Sequence, residues 1–343
     1  MNKSLKLLSA ILLSAGFTTA HASETNPIPG NPIVETLRAA DPDAHVWDGV
    51  VWMYASQDQE PGDPEKRYAT MDGYHVFSST DMVSWKDHGE ILHSRDVSWG
   101  KEAWMWAPGA ARKNGTYYLY YPHHDKTGQF RIGVATSQQP QGPFKDIGNY
   151  IEGTQGTDPM CFTDDDGQSY LYFGRAQVAK LKDNMTELAE PSRVVDYGAK
   201  NFGEGAWVFK RNGKYYYTYT NFHDKKNQGY YAIGDSPYGP FTFVGPLCGK
   251  PPGAQDHHST VEYKGQWYYF YHVGNFNRGN FYKRNACVEK MFFNEDGTIQ
   301  MVEYTTGVLP KKPATPSATA PQPPNPTPAP TEPTNPSPKP KTP

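Results

Sequence analysis

The feature that most constrains the fold of this chain is a fivefold repeat of a turn glycine followed by an aromatic strand. The five glycines stand at positions 49, 115, 167, 213 and 265, at spacings of 66, 52, 46 and 52 residues. A regular period of this size is typical of propeller blades, each of which contains four strands. The repeated segments are DGVVWMYAS (48–56), NGTYYLYYP (114–122), DGQSYLYFG (166–174), NGKYYYTYT (212–220) and KGQWYYFYH (264–272).

The residues around each turn glycine favour a tight β-hairpin. Asn-Gly and Asp-Gly are preferred centres of two-residue turns, because both central positions need a positive φ. Further strand–turn–strand patterns at 74–92, 130–148 and 230–245 fit the later strands of a blade. An aromatic content of 14% and the many turn residues agree with an all-β chain. We therefore predict a single five-bladed β-propeller over residues 31–309, with a β-sandwich as the alternative.

The two ends of the chain differ from this repeat region. Residues 1–22 contain Lys3, Lys6, a short apolar run and an Ala20-His21-Ala22 sequence, which together predict a secretory signal peptide. The apolar run is shorter than the roughly 20 residues that span a membrane. Residues 310–343 contain 14 prolines in 34 positions and predict a disordered linker. We expect a secreted or periplasmic protein with no membrane partner, in which the linker leads to a further module or serves as a spacer.

Charge and cysteine content narrow the partners further. The net charge of −3 gives no sign of a nucleic-acid partner. Cys161, Cys248 and Cys287 lack metal-ligand spacing. An exported protein can pair two of them and leave the third buried, so structural roles are expected for all three. A monomer is the simplest expectation.

The chemically informative residues precede the turn glycines by eight or nine positions. These residues are Asp41, Ala107, Asp158, Glu204 and His257, so three of the five are carboxylates. The first strands of propeller blades line the central channel in the same direction, which brings equivalent positions to one mouth of that channel. A proline follows both aspartates, which predicts extended backbone at each. We expect the three carboxylates to meet there.

Carboxylates that converge in one cleft suit glycoside hydrolysis. Their mutual repulsion keeps at least one of them protonated near neutral pH. One carboxylic acid then protonates the leaving oxygen, while an ionised carboxylate activates water or attacks carbon. Trp104 and Trp106 flank the same rim, where they pack against a sugar ring or, alternatively, between blades. The alternative is a protein that is not an enzyme, namely a propeller that binds sugar without catalysis.

Six motifs, in this order along the chain, resemble those of glycoside hydrolase family 43. The members of this family are five-bladed propellers that cleave arabinose and xylose linkages. The resemblance covers residues 31–309. The motifs are ADPDAHVWDG, STDMVSWKDHG, MWAPGAARKNGTYYLYYP, GTDPMCFTDDDGQSYLYFG, GEGAWVFKRNGKYYYTYT and QDHHSTVEYKGQWYYFYH.

The resemblance implies an inverting mechanism with three carboxylates. Asp41 matches the general base and Glu204 the general acid. Asp158 matches the residue that raises the pKa of the acid and orients it. In inverting enzymes the base and the acid stand about 6.5–9.5 Å apart, which leaves room for a water. This chain has Ala206 where the family often has a proline after the Glu-Gly pair.

The same resemblance extends to two basic residues. A histidine at the position of His257 often faces a calcium or other ion in the central channel through water; the alternative is a hydrogen-bonded scaffold residue. His258 should point elsewhere, because side chains alternate along a strand. Arg284 resembles an arginine that reaches the sugar pocket, with a surface arginine as the alternative. We expect that the reaction requires no cofactor. A structural Ca²⁺ in the central channel is a further expectation.

The function that we predict is the release of a terminal pentose from plant cell-wall polysaccharide such as arabinan or arabinoxylan. The favoured sugar is α-L-arabinofuranose, and β-xylosidase and endo-arabinanase are the alternatives. The stretch 57–73 makes the first repeat interval longer than the others, which indicates an insertion. If this insertion closes one end of the pocket, it favours exo action. Asp164 to Asp166 are predicted to form a solvated turn rather than a calcium loop.

Overall fold

The structure is a computed structural model that describes residues 31–35, 37–59, 67–199, 201–222, 227–250, 256–274 and 283–305. The predicted signal peptide and linker lie outside these residues. Apart from strands, the described parts contain two 3-10 helices, Arg67–Thr70 and Ser94–Asp96. Within the described ranges no helix has the length and apolarity needed to cross a membrane.

The strands form five small antiparallel sheets, and the predicted five-bladed propeller is confirmed. In each sheet the strands follow one another in chain order. Blade 1 contains β1 (Ala39–Trp47), β2 (Val50–Gln57), β3 (Gly73–Ser79) and β4 (Lys86–His93). Blade 2 contains β5 (Gly109–Lys113), β6 (Thr116–His124), β7 (Phe130–Ser137) and β8 (Lys145–Tyr150).

The other three blades repeat this arrangement with different strand lengths. Blade 3 contains β9 (Met160–Thr163), β10 (Ser169–Phe173), β11 (Gln177–Lys180) and β12 (Arg193–Val194). Blade 4 contains β13 (Phe202–Arg211), β14 (Lys214–Asn221), β15 (Gln228–Gly234) and β16 (Phe241–Pro246). The described strands of blade 5 are β17 (Ser259–Tyr263), β18 (Gln266–Val273) and β19 (Asn285–Met291). The first strands of neighbouring blades contact one another and enclose the axis.

The repeated glycines form the turns between the first and second strands of the blades. In blades 1, 2, 4 and 5 the turn has two residues, both with positive φ, as the sequence predicts. The turn in blade 3 is longer, since the Asp164 N–H donates to the Gln168 carbonyl across it (2.9 Å). A short connection therefore places each inner strand next to its partner, with two residues in four of the blades.

The buried tyrosines link one blade to the next. Tyr54, Tyr120 and Tyr172 each stand five residues after a turn glycine, and all three are fully buried. Their hydroxyl groups donate to backbone carbonyls of the following blade, at Pro140 (2.6 Å), Met185 (2.8 Å) and Pro237 (2.6 Å) respectively. A buried phenol needs such a partner. The repeat therefore explains why tyrosine is so frequent in this chain.

The ring closes where the segment before β1 meets the last strand of blade 5. The Ile33 N–H donates to the Ala286 carbonyl (2.9 Å). The Asn31 side chain accepts from the Val288 N–H (2.9 Å) and donates to the Val288 carbonyl (3.0 Å). Its amide also donates to Glu289 Oε1 (3.0 Å). This contact joins the beginning of the propeller to β19.

The three cysteines are buried, and none of them forms a disulfide. Cys161 packs between blades 2 and 3, whereas Cys248 and Cys287 belong to the cluster around blades 4 and 5. The pairing that an exported protein allows is therefore not formed. Packing is the role that the structure gives to these side chains.

The ring closure predicts a loss of stability in Asn31→Ala. The substitution leaves the N–H and carbonyl of Val288 without their side-chain partner, at a cost of about 1–3 kcal/mol in the free energy of unfolding. Chemical denaturation should report this loss. Asn149→Ala, at an exposed position whose amide contacts only the adjacent backbone, is the matched control. Equal stability of the two variants would contradict the closure role.

Candidate active site

One mouth of the central channel contains all five residues that precede the turn glycines. They line a cavity of about 360 Å³. The inner strands begin there, which is why residues far apart in sequence meet. The repeat positions in the lining are Asp41, Ala107, Asp158, Glu204 and His257, and the other lining residues are Tyr68, Met71, Trp106, Phe222, Asn227 and Arg284.

The backbone at the two aspartates differs from the prediction. Asp41 has a φ of 50° and Asp158 a φ of 55°, so both adopt the left-handed region rather than the extended one. At Asp41 the register of β1 against β2 shifts between Ala40 and Asp43, which marks a bulge. Aspartate tolerates this region better than most residues, although it carries local strain. The expectation of extended backbone from the following prolines was therefore wrong.

Asp41 is buried and surrounded by donors. Its Oδ2 accepts from Ser56 Oγ (2.5 Å), and its Oδ1 accepts from Arg284 Nη1 (2.8 Å). Its backbone N–H donates to Nδ1 of His272 (3.0 Å). Burial by itself raises the pKa of the Asp41 carboxyl, but the charge of Arg284 is the main opposing effect, and the net pKa lies well below the ordinary value. Asp41 is therefore ionised at neutral pH.

Arg284 is fixed by a second carboxylate, Asp58, which the sequence analysis missed. Arg284 Nε donates to Asp58 Oδ2 (3.0 Å), and Nη2 donates to Oδ1 (2.9 Å). The Arg284 N–H also donates to Asp58 Oδ2 (2.7 Å), and the guanidinium lies 4.7 Å from the centre of the Tyr68 ring. Both charged groups are almost fully buried. This bidentate pair orients the guanidinium toward Asp41, and Arg284 lies in the pocket rather than on the surface.

Glu204 and Asp158 form a coupled pair. Burial, followed by the neighbouring charge of Asp158, raises the pKa of Glu204 well above its ordinary value. Burial also raises the pKa of Asp158, whereas the charge of His257 opposes that rise. Glu204 Oε1 is buried without a hydrogen-bond partner among the described residues. The pair therefore retains a proton near neutral pH, and we assign it to Glu204.

Asp158 also contacts the backbone that carries Glu204. Its Oδ2 accepts from the Gly205 N–H (3.3 Å), and Gly205 has a φ of 61°. This left-handed conformation is natural for glycine. Ala206, where the family often has a proline, is buried directly after this turn. The contact gives Asp158 a physical means to orient the acidic side chain.

The two adjacent histidines point in different directions, as expected. His257 lines the cavity, with Nδ1 3.7 Å from Asp41 Oδ1. His258 is buried between Asp256, at 2.5 Å from Nδ1, and Thr218, at 2.7 Å from Nε2. These contacts make His258 a bridge between blades 4 and 5.

The described residues at the channel mouth do not form a ready set of calcium ligands. The described residues contain no group of three or more His, Cys, Asp or Glu that is arranged to hold a metal. Calcium takes six to eight oxygen ligands. His272 of β18, whose Nδ1 accepts from the Asp41 N–H, has a buried Nε2 without a partner in the described parts of the chain. An ion at this mouth would therefore be coordinated mainly by water, and a contact between His257 and such an ion stays a prediction.

The two tryptophans have different positions. Trp106 lines the cavity, and its Nε1 donates to the Tyr68 carbonyl (3.0 Å). Trp104 is not part of the lining and packs against Trp106 and His124, with ring centres 5.7 Å and 4.5 Å away. Phe222, which the sequence analysis missed, lines the cavity and is 40% exposed. A sugar contact through Trp104 stays a prediction.

The aspartate-rich turn lies outside the cavity. Asp164 accepts from Lys210 Nζ (2.7 Å) and from the Tyr215 hydroxyl (2.5 Å), which links blade 3 to blade 4. Asp165 and Asp166 are exposed. The solvated turn is therefore confirmed for two of the three aspartates, whereas Asp164 forms a bond between blades.

Comparison with known proteins identifies relatives of the whole propeller. The sequence model of the family described as glycosyl hydrolases family 43 matches residues 29–299 of this chain. Xylosidase/arabinosidase 43A of Humicola insolens is 36% identical over 78% of this chain and 98% of its own length. A xylosidase/arabinosidase of Bacteroides ovatus is 34% identical over 77% of this chain and 94% of its own length.

Solved structures agree with these matches. A β-xylosidase/α-arabinofuranosidase from a compost microbial metagenome, in complex with xylotriose and in a calcium-free form, has a TM-score of 0.75 at 35% identity. The match covers 80% of this chain and 98% of that one. The GH43_1 enzyme of Xanthomonas citri, complexed with xylotriose, has a TM-score of 0.73 at 35% identity, over 81% of this chain and 94% of that one.

The electrostatics of Asp41 lead to a prediction for Arg284→Gln. Without the guanidinium charge, burial dominates and the pKa of Asp41 rises. The titration of the Asp41 carboxyl carbon, followed by NMR, should move to higher pH. Arg112→Gln, which removes a solvent-exposed partner of Asp48, is the control and should leave that titration unchanged. The double variant Arg284→Gln/Asp58→Asn avoids an unpaired buried charge, and an unmoved Asp41 titration in it would contradict the assignment.

Proposed function

The chain belongs to the glycosyl hydrolases of family 43, and on this basis we propose that it is an inverting glycosidase that releases terminal pentose units from xylan or arabinoxylan. The single observation that supports the mechanism is that two carboxyls in one cavity have opposite electrostatic surroundings. Arg284 favours ionised Asp41, whereas burial and Asp158 favour protonated Glu204. An acid and a base that coexist at one pH are what glycoside hydrolysis by inversion requires.

In the proposed reaction Glu204 donates its proton to the glycosidic oxygen as the bond from this oxygen to the anomeric carbon breaks. Asp41 accepts a proton from a water whose oxygen bonds to that carbon from the opposite face. The products are a sugar of inverted configuration and a free hydroxyl on the remaining chain. Asp158 binds the Gly205 backbone and opposes ionisation of Glu204, so it orients the acid and keeps it protonated.

The walls of the cavity support action on chain ends. Tyr68 and Met71 come from the insertion in the first repeat interval, and with Trp106 they form part of the wall. A pocket that is closed on this side suits one terminal ring better than the middle of a long chain. Phe222, partly exposed in the same lining, offers an apolar face to the next sugar. Endo-arabinanase action would need an open groove.

The sugar is proposed to be α-L-arabinofuranose, with β-D-xylose as the second candidate. The names of the relatives support both sugars as candidates, because the proteins of Humicola insolens and Bacteroides ovatus are each named xylosidase/arabinosidase. An arabinoxylan arabinofuranohydrolase of Paenibacillus polymyxa is also similar, at 31% identity. Arabinoxylan contains both sugars, so this one polysaccharide offers two natural substrates to an exo-acting pocket.

Export, assembly and metal binding are also proposals. We propose a monomeric enzyme that is secreted or periplasmic, with the proline-rich segment as a linker to a further module or as a spacer. A water-coordinated Ca²⁺ would contact His257 through water, with the unpartnered Nε2 of His272 as a second candidate, and its charge would add to that of Arg284 in favouring ionised Asp41. The reaction itself needs only the carboxyl groups.

The decisive experiment is a product analysis. The protein is incubated with nitrophenyl α-L-arabinofuranoside, nitrophenyl β-D-xyloside, arabinan, arabinoxylan and xylan. Release of single pentoses supports the proposal, and the ratio of arabinose to xylose assigns the specificity. Internal cleavage products would indicate endo action. Binding without any release of sugar or chromophore would show a sugar-binding propeller instead.

The stereochemistry of the first product tests the mechanism. Proton NMR of the sugar during early turnover should show the anomer of inverted configuration, because water attacks directly from the face opposite the leaving group. Retained configuration would overturn the roles given to Asp41 and Glu204.

The substitution Glu204→Ala should affect substrates unequally. Natural linkages need protonation of a poor leaving group, whereas nitrophenolate leaves without it, so the loss of kcat should be larger on natural substrates by about 10²–10⁴-fold. Glu187→Ala, an exposed glutamate between β11 and β12 whose carboxylate pairs with Lys182 and which does not line the cavity, is the control and should retain activity on both. Equal losses in Glu204→Ala on the two kinds of substrate would argue against Glu204 as the acid.

The substitution Asp158→Asn should change the pH dependence of activity. Glu204 must be protonated to act, so activity falls as the pH rises through its pKa. Removal of the Asp158 charge lowers that pKa, so the alkaline limb of kcat/KM should move to lower pH while the acidic limb, set by Asp41, moves less. An unmoved alkaline limb would show that Asp158 does not raise the pKa of the acid.

A further inference from the structure

The far ends of the inner strands enclose a second cavity at the opposite mouth of the channel. Its volume is about 360 Å³, similar to that of the catalytic cavity. Every blade contributes, because each inner strand runs from one mouth to the other. The lining residues that matter below are His45 and Trp47 of β1, Arg112 of β5, Trp207 and Lys210 of β13, and Trp267 of β18.

A narrow neck separates the two cavities. The space between them measures only about 10 Å³ and is bordered by Asp43, Met160 and Trp207 below the two catalytic aspartates. A volume of about 10–15 Å³ holds a single water molecule. A sugar ring cannot pass through it, so the second cavity is not an extension of the catalytic one.

Aromatic rings form the walls of this cavity. His45 and Trp47 stack at 5.0 Å with an interplanar angle of 9°, and Trp207 lies 5.6 Å from His45. Trp267 packs against Phe209 at 4.8 Å. His45, Trp47 and Trp267 are partly exposed. Such rings suit the apolar C–H face of a sugar ring.

Two buried polar groups in the lining have no partner in the described parts of the chain. These groups are the indole Nε1 of Trp207 and the hydroxyl of Thr260. Trp207 is 5% exposed and Thr260 is 3% exposed. A buried polar group without a hydrogen bond is costly, and an indole N–H can only donate. Almost none of the surface of either atom is accessible, so the aromatic rings, and not these two atoms, form the surface that a ligand would contact.

The cations near the cavity already have partners within the protein. Lys210 contacts Asp164 (2.7 Å) and Asp165 (2.9 Å). Arg112 contacts Asp48 (2.8 Å). Neither guanidinium nor ammonium is therefore available to neutralise an anion without breaking an ion pair. The lining also contains the exposed Glu262, so the balance of charge disfavours an anion, and a neutral ligand fits it.

From these observations we propose that the second cavity is a carbohydrate-binding site for a neutral oligosaccharide end, such as the terminal xylose rings of xylan. Its aromatic rings would stack on the faces of the sugar rings. Since this mouth lies opposite the catalytic one, the site would hold the enzyme on a polysaccharide while the other mouth remains open to chain ends. The proposal concerns binding and does not depend on hydrolysis.

The test is a calorimetric titration of the full chain with xylotriose, in a Glu204→Ala background that prevents cleavage. Trp267→Ala should weaken one binding event by about tenfold, the effect of losing one buried aromatic contact. Thr163→Trp adds bulk at an exposed position of the lining and should block the same event without removing a core side chain. Trp52→Ala, on β2 outside both cavities, is the matched control and should leave binding unchanged.

The outcomes separate this site from the catalytic one. A binding event that both Trp267→Ala and Thr163→Trp weaken, and Trp52→Ala does not, supports the proposal. Activity of the Trp267→Ala protein with an intact Glu204 should equal that of the native protein on nitrophenyl glycosides. Xylotriose binding that none of these variants changes would overturn the proposal. A parallel titration in which inorganic phosphate, and not xylotriose, binds at this mouth would overturn it as well. Loss of hydrolysis with the second event retained would refute the proposed function alone.

Discussion

The organisation of this protein depends on five inner strands that run in the same direction around one axis. This constraint brings every strand start to one mouth of the channel and every strand end to the other. Asp41, Asp158 and Glu204 therefore meet although more than 160 residues separate the first from the last. The same constraint gathers Trp47, Trp207 and other aromatic residues at the far mouth. Both cavities are consequences of one geometry.

Within the proposed catalytic cavity, burial makes the electrostatic differences between carboxyls large. Asp41 and Asp158 are buried and Glu204 is largely buried, which by itself favours the protonated form of each. Asp41 escapes this effect because Arg284 lies 2.8 Å away, and Arg284 stays in place because Asp58 binds it through two hydrogen bonds. For Glu204 the nearby carboxylates, Asp158 first, have a larger effect on the pKa than the charge of Arg284. The contrast between acid and base therefore arises from a neighbour of each group, not from its own residue type.

The sequence predicted the positions of the repeat more reliably than the local backbone. The turn glycines and the residues before them have a regular spacing, so the blades and the convergence of carboxylates follow from it. The extended backbone predicted at Asp41 was wrong because a bulge in β1 outweighs the preference imposed by Pro42. Asp58 and His272 were missed because neither belongs to the repeated position, and nothing in the neighbouring residues marks them.

Taken alone, the sequence determined the fold class, the number of blades, the family and the three carboxylates, because each of these is carried by a regular period or by an ordered set of motifs. Only the tertiary structure decided which charges face one another. The pairing of Arg284 with Asp41 and Asp58 joins residues more than 200 positions apart, and no local pattern encodes it. The ring closure at Asn31 and the aromatic cavity at the far mouth have the same origin, since both arise where strands from opposite ends of the chain pack around one axis.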